Sequence, residues 1–462
     1  MKKILYLSIL TLILGACDTL EQEPTTAVST STAITSVGDL SYAVNGAYYI
    51  ASSGGQMSPA AEMAVYADVI GPDSDVKNGS GQFCQKLHER SVTPKDSYNT
   101  YYYLYKAIAN VNKALEAAEQ IDDPAKAPYI AELYGMRGLF HLQLATFYAP
   151  IPTSGSNNKL GIVLSTEVYD ISSKAGRASL DDTYAQIVKD FTTCINDPAV
   201  NTEVSDGHIN KWAALALRAR AYLYWGKNAE ALEDAKTVIS KSPYKLYTID
   251  NYVKSWSIQD GCDEMIMQYI QNDEYNAQRY NPGYYTHPDG YTEYLVTAEF
   301  YDFMQANTND IRSKMVAYRE TENGKGVNGY YPMKYIGKTG STVPLYANNI
   351  KICRLSEMYL IAAEAAFKTN STDAVGYLNT LRKNRIAGYV PVATTSIDDI
   401  INERRKELFA EGQIAFDYWR NGKSFKCGPA TYEPSNYKNV LPIPQDEIDV
   451  CGSDILMQNP GF

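Results

Sequence analysis

The sequence predicts a mainly α-helical protein in which tetratricopeptide-like helix pairs form a superhelical scaffold. Large irregular, loop-rich insertions and a few short strands are expected to interrupt that scaffold. Two observations support this class: paired amphipathic segments carry small residues at helical spacing, and long stretches rich in Tyr, Asn, Gly and Pro separate them. The 462 residues are enough for a large buried core.

The first seventeen residues, MKKILYLSILTLILGAC, resemble the signal of a bacterial lipoprotein. Two lysines precede an apolar run that is too short to remain as a transmembrane helix, and small residues lead to Cys17. We therefore expect residues 1–16 to be removed and Cys17 to carry acyl chains, which anchor a protein to a membrane surface.

A flexible tether is predicted after the lipidated cysteine, over residues 17–35. This segment is rich in Thr, Ser, Glu and Ala and has little hydrophobic periodicity. Its acidic residues Asp18, Glu21 and Glu23 resemble the signal that sends some lipoproteins to the outer face of the outer membrane. The predicted location is thus the outer membrane, facing the cell exterior.

The clearest helix pair covers residues 213–243, AALALRARAYLYWGKNAEALEDAKTVISKSP. Small residues on one helical face let two helices approach closely, and neither helix can bury its face alone. Gly226 marks the turn between the helices, and Pro243 marks the end of the second. Ala219, Tyr222, Ala231, Ala235 and Val238 supply the tetratricopeptide-like spacing.

Similar patterns place helical repeats at about residues 97–148, 180–243 and 351–420. Between them, residues 50–96 and 244–350 are predicted to be loop-rich insertions with only short strands such as Met265–Tyr269. Loops of this length are uncommon in compact domains unless they carry function. We therefore expect any ligand to bind to the insertions rather than to the helices.

Composition excludes one class of partner and leaves another question open. A formal charge of -11 argues against nucleic acid, which needs clustered Lys and Arg. The 39 tyrosines suit either packing or stacking on sugars or peptides. Apart from Cys17, six cysteines lie at wide spacings, so disulfides and buried free thiols both remain open.

Several longer motifs resemble the SusD/RagB family of outer-membrane nutrient-binding proteins. These are AELYGMRGLFHLQLATFYAPIP at residues 131–152, RASLDDTYAQIVKDFTTCI at 177–195, ICRLSEMYLIAAEAA at 352–366, INERRKELFAEGQIAFDYWR at 401–420, and the closing LPIPQDEI and QNPGF. Ile414 and Ala415 replace a frequent Arg-Trp, and Ala149 replaces a frequent glycine. The resemblance spans nearly the whole mature chain and implies a single SusD-like domain over residues 36–462.

The family resemblance implies a non-catalytic protein that acts as a lid on a TonB-dependent, SusC-like transporter. Such a protein captures an oligosaccharide or a peptide and hands it to the channel. The family favours a glycan as cargo, while the residues themselves suit a peptide equally well. Two other functions stay open: a tetratricopeptide scaffold for envelope proteins, and an anchored hydrolase.

The resemblance also places the ligand surface in residues 62–90 and 272–294. Within these segments, aromatic side chains could stack on the ligand and polar ones could form hydrogen bonds with it. The predicted stacking residues are Tyr66, Phe83, Tyr275, Tyr280, Tyr284, Tyr285 and Tyr291. The predicted hydrogen-bonding residues are Asp68, Asn276, Arg279 and Asp289.

Other candidate sites have simpler interpretations. Glu403, Glu407 and Glu411 recur every four residues among basic residues, which favours ion pairs over a glycosidase or metal site. Asp73, Asp75 and Asn78-Gly79 resemble part of a calcium loop that lacks its closing Glu. We therefore predict no catalytic residues, no metal and no cofactor, and we expect buried His141 to be a packing residue.

Overall fold

A computed structural model gives the architecture of most of the chain. It describes residues 33–52, 59–77, 84–96, 100–170, 172–204, 207–261, 263–321, 325–428 and 430–462. The α-helices are α1 Val37–Ser52, α2 Pro59–Val69, α3 Gln85–His88, α4 Thr100–Glu119, α5 Ala127–Tyr148, α6 Leu180–Asn196, α7 Lys211–Trp225, α8 Asn228–Lys241, α9 Tyr252–Ile258, α10 Pro282–Thr286, α11 Ala298–Gln305, α12 Leu355–Lys368, α13 Ala374–Lys383, α14 Ile397–Leu408, α15 Ile414–Arg420 and α16 Gln445–Cys451. The strands are β1 Ser74–Val76, β2 Met265–Tyr269, β3 Tyr294–Val296, β4 Val316–Arg319, β5 Gly329–Pro332, β6 Ile350–Arg354, β7 Phe425–Cys427 and β8 Ala430–Tyr432. The predicted mainly α class is confirmed.

Helix ends follow local capping rules. The side chain of Asn210 accepts a hydrogen bond of 2.8 Å from the Ala213 amide and starts α7. Helix α7 ends at Gly226, whose φ of 82° is the left-handed conformation that glycine adopts without steric cost. Ser396 and Asp399 form a capping box at the start of α14. The predicted turn at Gly226 is therefore confirmed.

Successive helices pack side by side along the chain. Neighbouring helices are in contact throughout the series from α4 to α8. Helix α12 packs on α8 and α13, and α1 covers α4. A Cβ on Gly138 of α5 would lie 3.1 Å from the Phe191 ring of α6, so glycine permits this close approach. The predicted pairs α4/α5, α7/α8 and α12/α13 are all present.

The insertions contain more regular structure than their composition predicts. Helix α2 lies inside residues 50–96, and every one of its side chains is buried. A helix that is buried on every side has no exposed polar face and so no amphipathic period, which is why the sequence pattern does not reveal it. Strands β1, β3, β5 and β4 form a four-stranded antiparallel sheet in that order. Strands of three or four residues are too short to show alternation.

The predicted strand Met265–Tyr269 is β2, and it pairs antiparallel with β6, with Tyr269 opposite Ile350. Strand β6 leads directly into α12 through Arg354. At its C-terminal end, β2 leads into residues 272–294, which carry most of the predicted ligand residues. This pair therefore links the helical scaffold to the insertion.

A buried ion-pair network lies at the junction of β6, α12, α13 and α14. Glu407 lies 2.6 Å from Arg354, 2.9 Å from Arg385 and 3.0 Å from Arg312. Glu264 completes the network with contacts of 2.6 Å to Arg354 and 2.8 Å to Arg385. Burial alone would raise the pKa of Glu407, but the surrounding guanidinium groups hold it well below its usual range.

The neighbouring carboxylates of α14 and the following turn extend this network. Glu403 contacts Arg312 at 2.7 Å and Arg382 at 2.6 Å, and Glu411 contacts Arg354 at 2.8 Å. The predicted ion pairing is confirmed. Its partners come from other elements of the fold rather than from the interleaved basic residues of the same helix.

Asp73 and Asp75, which resemble part of a calcium loop, both pair with basic side chains of the protein. Asp73 accepts a hydrogen bond of 3.0 Å from Arg405, and Asp75 forms an ion pair of 2.6 Å with Lys77. His141 is completely buried, as expected for a packing residue, and burial lowers its pKa. Within the described part of the chain, the cysteines at 84, 194, 353, 427 and 451 are free thiols.

The predicted signal peptide, Cys17, most of the tether, Phe83, Asn78 and Cys262 lie outside the described residues. Among the helices that are described, none combines the length and apolarity that crossing a membrane requires.

We expect Glu407→Gln to lower the free energy of unfolding by about 3–5 kcal/mol, because it leaves buried guanidinium groups without their counter-charge. Urea denaturation of soluble protein starting after Cys17 measures this loss. The matched control, Glu233→Gln, removes an exposed pair with Lys236 at 3.2 Å and should cost less than about 1 kcal/mol. Equal losses in the two variants would contradict this account of the network.

The same variant should change how stability depends on pH. Because folding depresses the pKa of Glu407, its contribution is present above the unfolded value of 4.5 and is lost as the pH falls through the folded value. The difference between wild type and Glu407→Gln should therefore shrink below about pH 4.5. A constant difference down to pH 2 would disprove this assignment.

Candidate functional site

The segment after β2 forms a short series of turns on the surface of the insertion. Asn272 opens it by accepting hydrogen bonds from the amides of Glu274 (2.9 Å) and Tyr275 (2.7 Å). A 3-10 turn Gln278–Tyr280 follows, and α10 comes next. The chain then turns back, so that the Tyr291 amide donates to the Tyr284 carbonyl at 2.7 Å.

Gly290 and Asn281 explain why this turn is so tight. A Cβ on Gly290 would overlap the Tyr284 carbonyl, so only glycine fits there. Asn281 caps α10 by accepting from the Gly283 amide at 3.0 Å. Its amide nitrogen also donates to the carbonyls of Tyr346 (3.0 Å) and Asn348 (2.7 Å). Asn281 thus joins α10 to a segment more than 60 residues further along the chain.

Three tyrosine rings cluster where these two segments meet. Tyr284 contacts Tyr291 edge to face, with ring centroids 4.8 Å apart, and contacts Tyr346 at 5.5 Å. Tyr284 and Tyr346 form part of the wall of an open cleft of about 420 Å³. The other lining residues are His287, Asp289, Ile336, Val343, Pro344 and Leu345. The cleft therefore combines aromatic, aliphatic and polar surfaces.

The charged and titratable side chains around the cleft differ in their partners. Asp289 forms an ion pair of 2.8 Å with Lys325, and that hydrogen bond lowers the pKa of Asp289. Burial lowers the pKa of His287, which favours its neutral form. Arg279 is exposed, and a hydrogen bond to the Tyr346 hydroxyl raises its pKa.

A network of buried side-chain amides holds the cleft wall in place. Asn348 donates to the carbonyls of Leu345 (3.1 Å) and Pro344 (3.3 Å) and accepts from the Gly337 amide at 3.1 Å. Gln259 donates to Asn348 at 2.8 Å and accepts from the Asn349 amide at 2.7 Å. Because the side chains of Gln259, Asn348 and Asn349 are buried, water competes little for these amides.

Three of the predicted ligand residues are buried, which corrects their assignment to the binding surface. Tyr66, Asp68 and Tyr285 are 5%, 7% and 0% exposed. Asp68 accepts hydrogen bonds from the Gly412 amide at 3.2 Å, and burial raises its pKa well above the usual range. Tyr285 packs beneath Tyr291, with ring centroids 5.5 Å apart. These three side chains therefore belong to the protein interior.

The other predicted residues divide between the cleft and its margin. Tyr284 and Asp289 line the cleft, Tyr291 packs against Tyr284, and Arg279 reaches Tyr346. Tyr280 lies half-buried beside this cluster. Tyr275 and Asn276 belong to the earlier turn, where the Asn276 amide donates to the Asn272 carbonyl at 2.8 Å. Their role in binding stays a prediction.

Sequence reasoning missed half of the cleft. Tyr346 and the neighbouring apolar wall at Ile336, Val343, Pro344 and Leu345 lie beyond the predicted ligand segment of residues 272–294. The only local signal was a tyrosine in a Pro- and Asn-containing loop, PLYANN. Among the described residues, no three His, Cys, Asp or Glu side chains converge in a way that could hold a metal ion.

Comparison with known proteins identifies the family. Residues 20–223 match a family described as starch-binding and associating with the outer membrane, and residues 226–462 match the SusD family. The chain belongs to the SusD family. SusD-like protein P2 of Formosa agariphila is 22% identical over 98% of both chains.

Solved structures of the SusD superfamily have the same fold. One from Bacteroides thetaiotaomicron is 27% identical, with a TM-score of 0.84, over 92% of this chain and 100% of the other. A putative sugar-binding protein from Bacteroides vulgatus is 26% identical, also with a TM-score of 0.84, over 93% and 100%. Surface glycan-binding protein A from B. thetaiotaomicron, solved with laminarihexaose, is 20% identical with a TM-score of 0.75, over 92% and 100%.

We expect Asn281→Ala to destabilise this SusD-family protein by about 1–3 kcal/mol, because it leaves the buried Asn348 carbonyl and the partly buried Tyr346 carbonyl without a donor. Thermal and urea unfolding measure the change. Asn276→Ala is the matched control, since that amide bonds only within its own turn, and it should cost less than about 1 kcal/mol. An Asn281 variant as stable as the control would contradict the proposed fastening of α10 to the cleft wall.

Proposed function

We propose that this protein is a surface lipoprotein that captures an oligosaccharide and hands it to a TonB-dependent, SusC-like outer-membrane transporter. The observation that carries the proposal is the cleft walled by Tyr284 and Tyr346 in the SusD-family fold. Tyrosine offers a flat apolar face with a polar tip, so it can stack on a sugar ring and hydrogen-bond to its hydroxyls.

The chemistry of the cleft favours binding without catalysis. A glycosidase needs two carboxyl groups on either side of the scissile bond, at about 5–9.5 Å from each other. Asp289 is the one carboxylate that lines the cleft within the described chain, and Lys325 neutralises it. The cleft is also open rather than deep, which suits capture and release of a chain of sugars.

Similarity to proteins that bind glycans supports an oligosaccharide over a peptide as the cargo. Surface glycan-binding protein A was solved with laminarihexaose, and another structure with 21% identity is a laminarin-binding SusD-like protein. The matched description of the N-terminal half includes association with the outer membrane. A lipid on Cys17 and a tether up to residue 35 would keep the capture protein next to its transporter.

We expect the double variant Tyr284→Ala, Tyr346→Ala to lose glycan binding, because it removes both aromatic faces of the cleft. A glycan array followed by calorimetry measures binding, with a peptide library as the comparison and circular dichroism as the check on folding. Tyr42→Ala is the matched control, since Tyr42 lies on α1 and is 78% exposed.

Retained glycan affinity in the double variant would show that the binding surface lies elsewhere. Binding of peptides but not glycans would replace the proposed cargo. A folded wild-type protein that binds neither class would argue against capture altogether and in favour of the envelope scaffold.

We expect Cys17→Ala to release the protein from the membrane, because the thiol that accepts the first acyl group is gone. Cell fractionation and metabolic labelling with palmitate measure anchoring. Cys451→Ala, a half-buried free thiol, is the control and should remain labelled and membrane-bound. Continued labelling of the Cys17 variant would disprove lipidation at this position.

A further inference from the structure

A second cleft lies near the C-terminal end of the chain. Most of its lining comes from residues 149–158, which follow α5, from residues 434–440, and from helix α15. Its volume is about 250 Å³, against about 420 Å³ for the tyrosine cleft, which is the one walled by Tyr284 and Tyr346. The two clefts share no lining residue, so this C-terminal cleft is a separate site.

The lining of the C-terminal cleft carries no charge. None of the described residues that line it is Asp, Glu, Lys or Arg, although these types make up 21% of the chain. Two cations lie next to the lining without being part of it. The guanidinium carbon of Arg90 lies 5.2 Å from the centroid of the Trp419 ring, and the ammonium of Lys438 lies 5.9 Å from that of Tyr437. A charged ligand would lose water here without gaining a counter-charge in the wall, so the cleft favours a neutral one.

The polar groups of the lining have hydrogen-bonding capacity that the protein does not use. In the described structure, the side chains of Asn157 and Ser435 form no hydrogen bond. The oxygen of the Asn436 side chain accepts from the Lys438 amide at 2.9 Å, which leaves its two N–H donors. Hydroxyl and amide groups of this kind both donate to and accept from the hydroxyls of a sugar.

Aromatic side chains complete the lining. Tyr437 is 45% exposed, and a Cβ on Gly461 would lie 2.5 Å from its ring, so glycine permits the tight packing that holds this ring. Trp419 is 2% exposed, and its buried indole N–H forms no hydrogen bond within the described part of the chain. Tyr437 thus supplies an apolar ring that can stack on a sugar, and Trp419 supplies a donor that the fold itself does not use.

A buried amide holds the two sides of the C-terminal cleft together. Asn459 is 1% exposed and donates to the carbonyls of Tyr148 and Leu441, at 2.9 Å in each case. Tyr148 directly precedes one side of the cleft, and Leu441 directly follows the other. The Asn459 side chain also accepts from Asn158 at 3.1 Å. Because this frame exists before any ligand binds, little ordering of the chain opposes binding.

We propose that the C-terminal cleft is a second carbohydrate site, which binds one neutral monosaccharide unit. The neutral class follows from a lining without charged side chains, and the short ligand follows from the smaller volume. That the ligand is a sugar rather than another neutral polar molecule rests on the proposed function. Since Tyr437 is the one well-exposed ring of the described lining, we expect weak binding, with dissociation constants of about 1–10 mM.

Tryptophan fluorescence of soluble protein starting after Cys17 tests this site. Trp419 lines the C-terminal cleft, whereas no tryptophan is among the described residues that line the tyrosine cleft. The probes are matched pairs: glucose with glucuronate, galactose with galacturonate, and mannose with mannuronate. We expect at least one neutral sugar to change the emission saturably, and its uronate to bind about tenfold more weakly or not at all.

Substitutions assign the fluorescence change to the C-terminal cleft. The double variant Asn157→Ala, Tyr437→Ala should weaken binding about tenfold or more, because it removes the stacking ring and a hydrogen-bonding side chain. Asn157→Ala alone changes an exposed side chain that the fold does not use, and it should weaken binding about threefold. Circular dichroism checks folding, and Tyr42→Ala, a 78% exposed tyrosine on α1, is the control that should bind as wild type does.

The outcomes distinguish this inference from the proposed function. The second site is overturned if no neutral sugar changes the emission of folded protein, if uronates bind as tightly as their neutral counterparts, or if both cleft variants keep wild-type affinity. Loss of the signal in Tyr284→Ala, Tyr346→Ala would assign it to the tyrosine cleft and overturn the second site as well. Glycan capture by the tyrosine cleft is tested independently, because an array detects tight binding of oligosaccharides and not millimolar binding of a monosaccharide.

Discussion

Neutralisation of buried guanidinium groups by Glu264 and Glu407 is the constraint on which the rest of the structure depends. Arg354 and Arg385 each contact both carboxylates at 2.6–2.9 Å, and all four side chains are buried. The charges come from four places far apart in the chain: the start of β2, the β6–α12 junction, the end of α13, and α14. Because a buried charge without its partner is strongly destabilising, any other relative position of these elements would be penalised.

That fixed junction also positions the tyrosine cleft. Strand β2 begins at the network and ends where the cleft segment starts, and β6 runs back from the cleft wall to Arg354. Between the two regions the bonding changes in kind, from ion pairs to neutral amides such as Asn281, Asn348 and Gln259. The scaffold is therefore set by charge, and the cleft is set by hydrogen bonds between amides and the backbone.

The limits of sequence interpretation follow from the same division. The paired helices were predictable because small residues such as Ala219 and Ala231 recur with the helical period, and that pattern is local. Helix α2 and the three-residue strands were not, since a helix buried on every side and a strand of three residues carry no period. The family resemblance predicts Tyr284 as a ligand residue. Tyr346 meets Tyr284 through a ring contact and through the bond from the Asn281 amide to its carbonyl, and no local pattern encodes either contact.

The amides that hold the cleft wall bond to the main chain. Asn281 and Asn348 bind backbone carbonyls, which every residue possesses, rather than the side chains of the wall. Ile336, Val343 and Leu345 can therefore be exchanged without loosening the loop that carries them. If the cleft holds the cargo as proposed, substitutions at these wall positions would change which ligand fits, while the bonds that hold the loop stay in place.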